Sequence, residues 1–234
     1  MYFEHAEQNN RTQRSLKTKG RTLDYAASIY DPIMNIVTLG RAKSARAEAI
    51  DVLDFKTTDK ILDLGCGTGV MTLQIAKHLK GPGEIIGIDA ARNMIKVANR
   101  NLKKSSLEET CSFMAALAED LPFEDESFDY CFSSMFYHHL PLELKKISLK
   151  ESYRILKPGG VFVVIDIDKP GNIFTKIFTL AGYVLLMQKA IKENVDGILP
   201  ELIEQAGFTQ LKLLKRKWAL ISAYWSVKPD MKRI

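Results

Sequence analysis

The sequence predicts an α/β fold: a doubly wound, Rossmann-like seven-stranded sheet, mostly parallel with one antiparallel edge strand, and helices on both faces. Three observations predict it. From Lys60 to Ala206, short apolar runs suited to buried strands alternate with stretches of helical periodicity. The first run breaks into closely spaced glycines and reopens as a helix, the start of a βαβ unit. The chain closes on two extended apolar runs with no helix between them, which can pair as a hairpin.

The elements follow in order. Residues 1–21 are polar, without periodicity, and carry Arg11, Arg14, Lys17, Lys19 and Arg21. They read as a flexible basic tail or a loosely docked arm. Residues 22–55 read as a helical cap: Tyr25, Ile29, Ile33, Ile36 and Val37 form one apolar group, and Ala42 to Leu53 a second amphipathic helix. Preceding the first strand, these helices are free to cover the ligand end of the sheet. Residues 56–234 form the main domain.

Its first strand is expected at 60–64 and its second at 84–88, joined by a helix that begins at Val70. A helix over 91–103 leads to a third strand at 111–115, and a fourth follows at 129–133. The helix over 142–156 stops at Lys157-Pro158-Gly159-Gly160, a helix end and turn. The run Val161 to Ile165 is the fifth strand, apolar on both faces. An apolar insertion occupies about 169–195, a helix spans 199–206, and the last strands lie near 209–215 and 219–227.

The chemistry concentrates in Lys60 to Val70. Ile61, Leu62 and Leu64 make the strand, and Gly65, Gly67 and Gly69 make the turn. Without a Cβ, that turn lets a ligand lie against the main chain. Asp89 ends the next strand about 20 residues after the last glycine, where an acid accepts both hydroxyls of a ribose. Two ligands compete for this pattern, a dinucleotide and S-adenosylmethionine. The spacing departs from that of dinucleotide sites. Asp63, at the exit of the strand, would repel a diphosphate and suits the ammonium and sulfonium of S-adenosylmethionine.

Composition narrows the class. The chain has 234 residues, 46% hydrophobic and 26% charged, with a net charge of +5, as expected of a globular protein able to bury a sizeable core. No basic and aromatic stripe suggests a nucleic-acid surface. Cys66, Cys111 and Cys131 lie in or beside apolar runs and form no metal-ligand spacing, which fits buried thiols in the cytoplasm. The start of the chain is polar and charged, unlike a signal peptide, and no apolar run reaches the length of a membrane span.

With these residues in place, the chain resembles the class I S-adenosylmethionine-dependent methyltransferases, and among them the branch of the ubiquinone and menaquinone C-methyltransferases. The resemblance runs from about Tyr30 to Val227. It is carried by Leu62-Asp63-Leu64-Gly65-Cys66-Gly67-Thr68-Gly69, Gly87-Ile88-Asp89-Ala90 with Met94, Ala118-Glu119-Asp120-Leu121-Pro122-Phe123, Ser127-Phe128-Asp129 and Leu156-Lys157-Pro158-Gly159-Gly160. It implies S-adenosyl-L-methionine as methyl donor. It implies that Asp63, Gly65, Gly67 and Thr68 line the methionine half and that Asp89 holds the ribose. Ala90 and Met94 should flank the adenine, Leu117 and Ala118 border its edge, and Ser133 sit near the sulfonium. One departure stands out. Many relatives carry an acid or amide where this chain has Leu117, and leucine accepts nothing from the adenine amino group; Glu119 and Asp120 are the nearby substitutes.

The acceptor side is expected at the ends of the fourth and fifth strands. There the adjacent His138 and His139 are candidate general bases, with a helix cap and a packed ring as the structural alternatives. Asp166 and Asp168 after the fifth strand are alternative bases, and are read in the first place as solvated loop acids. The apolar stretch Ile173 to Met187 is too short to span a bilayer. It reads as a lid, explained equally by core packing and by a lipophilic acceptor or shallow contact with a membrane surface. The function expected is methyl transfer to a small lipophilic acceptor, a quinone precursor or a lipid amine. The competing readings are a nicotinamide-dependent oxidoreductase and a donor-binding module without catalysis. No metal site is expected.

Overall fold

The computed structural model describes residues 15–24, 27, 50, 53–79, 81–171, 189–217 and 220–230. Most of the helical cap expected at 22–55, and most of the lid expected at 169–195, lie outside the described residues.

Among the described residues seven strands form one sheet: β1 (Lys60–Leu64), β2 (Glu84–Asp89), β3 (Cys111–Ala115), β4 (Phe128–Ser134), β5 (Leu156–Ile167), β6 (Thr209–Lys217) and β7 (Ile221–Val227). Their order is β3-β2-β1-β4-β5-β7-β6. β1 pairs in parallel with β2 and β4, β2 with β3, and β4 with β5. β7 pairs antiparallel with both β5 and β6. The reversed strand is therefore β7, one place in from the edge strand β6. The chain winds outward from β1 to β3 and then returns to its other side at β4, so the switch point lies between β1 and β4.

The described helices are α1 (Val70–Ala76), α2 (Arg92–Leu102), α3 (Leu142–Ile155), α4 (Lys189–Val195) and α5 (Leu199–Gln205). Strand alternation assigns them to the two faces. Leu62, Leu64, Ile86 and Ile88 pack with Leu144, Leu149 and Ile155 of α3 and Leu202 and Ile203 of α5. Ile61 and Ile85, one residue out of step, pack with Met71 and Ile75 of α1 and Ile95 and Ala98 of α2. In α2 the buried Met94, Ile95, Ala98 and Leu102 recur at helical spacing and form its core-facing stripe.

Two features differ from expectation. The Lys157-Pro158-Gly159-Gly160 segment ends the helix but belongs to β5, not to a free turn. The register of β5 against β4 shifts between Phe128 and Tyr130, and Gly159 has φ +79. Its N–H donates to Lys228 O at 2.8 Å, and Lys228 N–H donates to Gly160 O at 2.9 Å. A bulge thus lets the strand start earlier than its apolar run. Second, of the two readings of the tail, flexible or loosely docked, residues 15–21 take the docked one: Leu16 N–H donates to Ala90 O at 2.9 Å and Arg21 N–H to His139 O at 3.1 Å.

Candidate active site

A cavity opens at the carboxyl ends of β1, β2 and β4, beside the switch point. Its floor is the turn after β1. Gly65, Gly67 and Gly69 have φ of +74, +54 and +81, where L side chains are strained. Their surroundings differ. A Cβ on Gly65 would lie 2.3 Å from the Phe136 ring, and one on Gly69 2.5 Å from Phe113. A Cβ on Gly67 would meet nothing within 4 Å and would project into open space. That open cradle, bounded by main chain, fits a ligand that lies against the turn. Asn101 Nδ2 steadies it by donating to Thr68 O at 3.0 Å.

Two carboxylates face this cradle. Asp63, at 1% exposure, lines the cavity and accepts from Thr72 Oγ1 of α1 at 2.6 Å. It shares the α1 and α2 face of the sheet with Ile61, so an anion is built into an otherwise apolar layer. Such an anion costs solvation, and a cationic ligand offsets that cost. Asp89 ends β2. Its Oδ2 accepts from Gly67 N–H at 3.0 Å and its Oδ1 from Ala91 N–H at 2.8 Å. Burial raises its pKa above the ordinary carboxylate range, and these two hydrogen bonds oppose the rise. Each oxygen keeps lone-pair capacity for a ligand hydroxyl.

Of the residues singled out in the sequence, Asp63, Gly65, Gly67, Thr68, Asp89, Ala90, Met94, Ala118 and His139 line the cavity. Leu117, Ser133 and His138 do not. Ser133 is fully buried, and its Oγ donates to Leu64 O at 3.1 Å. Side chains alternate along β4, so Ser134 is the serine that reaches the cavity, as do Met135 and Phe136. Met135 holds φ +55, a conformation uncommon for a side-chain-bearing residue and concentrated at functional sites.

The two histidines separate in role. They occupy the short 3-10 turn Tyr137–His139 after β4, with ring centroids 4.0 Å apart. His138 Nδ1 lies 2.6 Å from Asp166 Oδ1, and Phe136 N–H donates to Asp166 Oδ2 at 3.0 Å. Burial alone would raise the pKa of Asp166; the charge and hydrogen bond of His138 outweigh it and hold the carboxyl below its usual range. Asp166 is thus the anchor of this turn. His139 faces the cavity. Burial, with His138 beside it, lowers its pKa to about 3, so the ring is neutral at physiological pH. Neither Asp166 nor Asp168 is the solvated loop acid expected: both are buried, Asp166 within β5 and Asp168 just after it, and Asp168 is occupied elsewhere, accepting from Arg216 Nη2, Ser222 Oγ and Tyr224 OH at 2.6–2.8 Å.

Sequence reasoning expected the helices from residue 22 onward to cover this end of the sheet, and gave residues 15–21 no part in the cavity. Thr18, Gly20, Arg21, Thr22 and Leu23 line the cavity, and Asp24 Oδ1 accepts from Asn93 N–H at 2.8 Å. The segment has no period to announce it. Among the described residues no group of three or more His, Cys, Asp or Glu side chains is placed to hold a metal, and no helix is long and apolar enough to cross a membrane.

Comparison with known proteins gives this geometry its context. Residues 12–190 match the ubiE/COQ5 methyltransferase family. The chain is 28% identical over 223 residues to the demethylmenaquinone methyltransferase of Lactiplantibacillus plantarum, covering 88% of this chain and 93% of the relative. To the Staphylococcus saprophyticus enzyme of that name it is 31% identical over 202 residues, covering 79% and 84%. Among solved structures, the fold is similar to a SAM-dependent methyltransferase from Aquifex aeolicus, with a TM-score of 0.59 at 17% identity over 78% of this chain and 89% of that one. It is also similar to phosphoethanolamine N-methyltransferase 2 of Haemonchus contortus in complex with S-adenosyl-L-methionine, with a TM-score of 0.63 at 20% identity over 79% and 52%.

Proposed function

The chain belongs to the ubiE/COQ5 methyltransferase family, and from that premise we propose that it methylates a small, lipophilic quinone precursor on a ring carbon, with S-adenosylmethionine as the methyl donor. The observation that carries this reading is the buried Asp63 carboxylate facing the open cradle at Gly67. An anion there complements a cationic donor. The acceptor is supported by the names of the relatives, demethylmenaquinone methyltransferases. The apolar stretch Ile173 to Met187 supports a lipophilic one.

When bound, the donor supplies a methyl group already activated by its sulfonium. The chain's own residues then have three tasks. Asp63, Gly65, Gly67 and Thr68 hold the methionine half, and Asp89 the ribose. Ala90, Met94 and Ala118 give the adenine its apolar flanks. Met135, Phe136 and the N-terminal segment exclude water from the methyl end, where alignment of the two reactants lowers the barrier most. His139, neutral and facing the cavity, accepts a hydrogen bond from an acceptor hydroxyl and orients the ring. His138, tied to Asp166, keeps His139 in place.

The test is to incubate the protein with S-adenosylmethionine and a reduced short-chain demethylnaphthoquinone. The product should gain the mass of one methylene, with the new methyl on ring carbon. Methylation of a lipid amine in its place, or none of any acceptor, would overturn the proposal.

A further inference from the structure

We propose that Lys145 is a positioning residue for the acceptor: through its buried ion pair with Glu193 it fixes α4 against the turn that carries His138 and His139, and so sets where His139 meets the acceptor ring. The proposal rests on the acceptor role given to His139 above.

Lys145 stands in the first turn of α3 and is fully buried, on the core-facing stripe that continues through Ser148, Leu149 and Ser152. A lysine at a core position is costly unless its charge is paired. Its Nζ donates to Glu193 Oε2 of α4 at 2.9 Å. Burial lowers the pKa of Lys145, and Glu193 and Asp166 oppose the fall. An apolar pair of similar size would join two helices as well as these ions do, and often better. What the ion pair adds is register, because a carboxylate must be brought to the ammonium for the charge to be tolerated at all.

That register matters because α4 packs on the histidine turn. Helix and turn hang on the same two supports. The turn is bound to β5 by His138 and Asp166, and to α3 by Tyr137 OH and Ser148 Oγ, 3.3 Å apart. α4 is bound to β5 by Asn194 Nδ2, which donates to Ile167 O at 3.1 Å, and to α3 by the ion pair. Ile167 N–H in turn donates to Asp166 Oδ1 at 2.7 Å, the oxygen that also meets His138 Nδ1. A displaced α4 therefore disturbs both the packing of the turn and the strand end that anchors it. In the chain, α4 follows the apolar stretch Ile173 to Met187. The stretch that supports a lipophilic acceptor thus leads into the helix that sets His139.

The experiment uses the paired variant Lys145→Met with Glu193→Gln, which removes both charges and leaves neither ion buried alone. Its melting temperature should hold or rise. With α4 no longer held in register the His139 ring should become wetter, and its titration followed by NMR should move up from about 3 toward 6.5. With S-adenosylmethionine and a reduced short-chain demethylnaphthoquinone, kcat/KM for the acceptor should fall by about tenfold or more. Calorimetric affinity for S-adenosylhomocysteine should stay within about twofold of wild type. Alone, Glu193→Gln still accepts from Lys145 and should lose less of the rate than Glu193→Ala. Should the paired variant not fold, as judged by its melting temperature, that contrast and the His139 titration of the two single variants carry the test. A folded variant with an unmoved His139 midpoint, or with an undiminished rate, would make the ion pair a tie for α4 alone and overturn the proposal. Equal rates in the two single variants would do the same. Failure of the wild-type chain to methylate the acceptor would overturn the functional reading instead, and the His139 midpoint would still decide whether Lys145 positions the turn.

Discussion

The main-chain N–H of Gly67 donates to Asp89 Oδ2 at 3.0 Å, joining the turn after the first strand to the acid at the end of the second. With Ala91 N–H on Oδ1 at 2.8 Å, both oxygens are fixed in direction before any ligand arrives. Pre-organised acceptors bind better because less freedom is lost on binding.

Asp89→Ala removes the ribose acceptor together with that brace. S-adenosylmethionine should raise the melting temperature of the wild-type chain, and the variant should lose most of that rise. In calorimetry the affinity should fall at least about tenfold, the cost of one charged hydrogen bond. An undiminished rise in the variant would place the ribose elsewhere.

Gly67→Ala should separate binding from folding. Its Cβ meets nothing within 4 Å, so the fold should lose only the left-handed backbone cost, about 1–2 kcal/mol. The methyl instead occupies the cradle, and binding of the methyl donor should be abolished. Gly65→Ala drives a Cβ to within 2.3 Å of the Phe136 ring and should add an overpacking cost of roughly 1–3 kcal/mol to the backbone cost. Paired melting and binding measurements on the two variants read the contrast directly.

Asp63→Asn should trade function for stability. The carboxylate is at 1% exposure on an apolar face, where removing a charge relieves a solvation cost. Thr72 Oγ1 still finds an oxygen acceptor. The unliganded melting temperature should hold or rise, while affinity for S-adenosylmethionine falls by about tenfold or more. A lower melting temperature with unchanged affinity would make Asp63 a structural residue.

Much of this site was legible in the chain because its signals are local. Gly65, Gly67 and Gly69 announce the turn by spacing, and Asp63 and Asp89 stand at the ends of recognisable strands. The signals that failed depend on tertiary packing. Ser133 and Ser134 are adjacent in sequence, and only the phase of β4 against β1 and β5 decides which one reaches the cavity. The bulge at Gly159 hides the start of β5, since a Pro-Gly-Gly run reads as a turn until its pairing with Lys228 is seen. Residues 15–21 carry no period, and their role appears only through bonds to Ala90, Glu119 and His139. The division of labour between His138 and His139 likewise depends on Asp166, far along the chain.

His139 supplies the pH dependence. Its pKa of about 3 in the folded chain lies below its ordinary value of 6.5, with burial as the main cause. His138 and Arg21 add to the depression, and Asp166 opposes it. The unfolded chain takes up a proton on this ring below about pH 6.5, whereas the folded chain does not until about pH 3. The stability linked to this residue is therefore complete above the unfolded value and falls steadily as the pH drops through that window. His139→Gln, which cannot titrate, should show a flatter decline of melting temperature between about pH 6.5 and 4. The same neutrality means that the rate of methyl transfer should show no inflection from His139 near pH 6–7. A ring titration followed by NMR decides the matter: a midpoint near the ordinary histidine value would mean that His139 is wet and chargeable, and would restore it as a candidate general base.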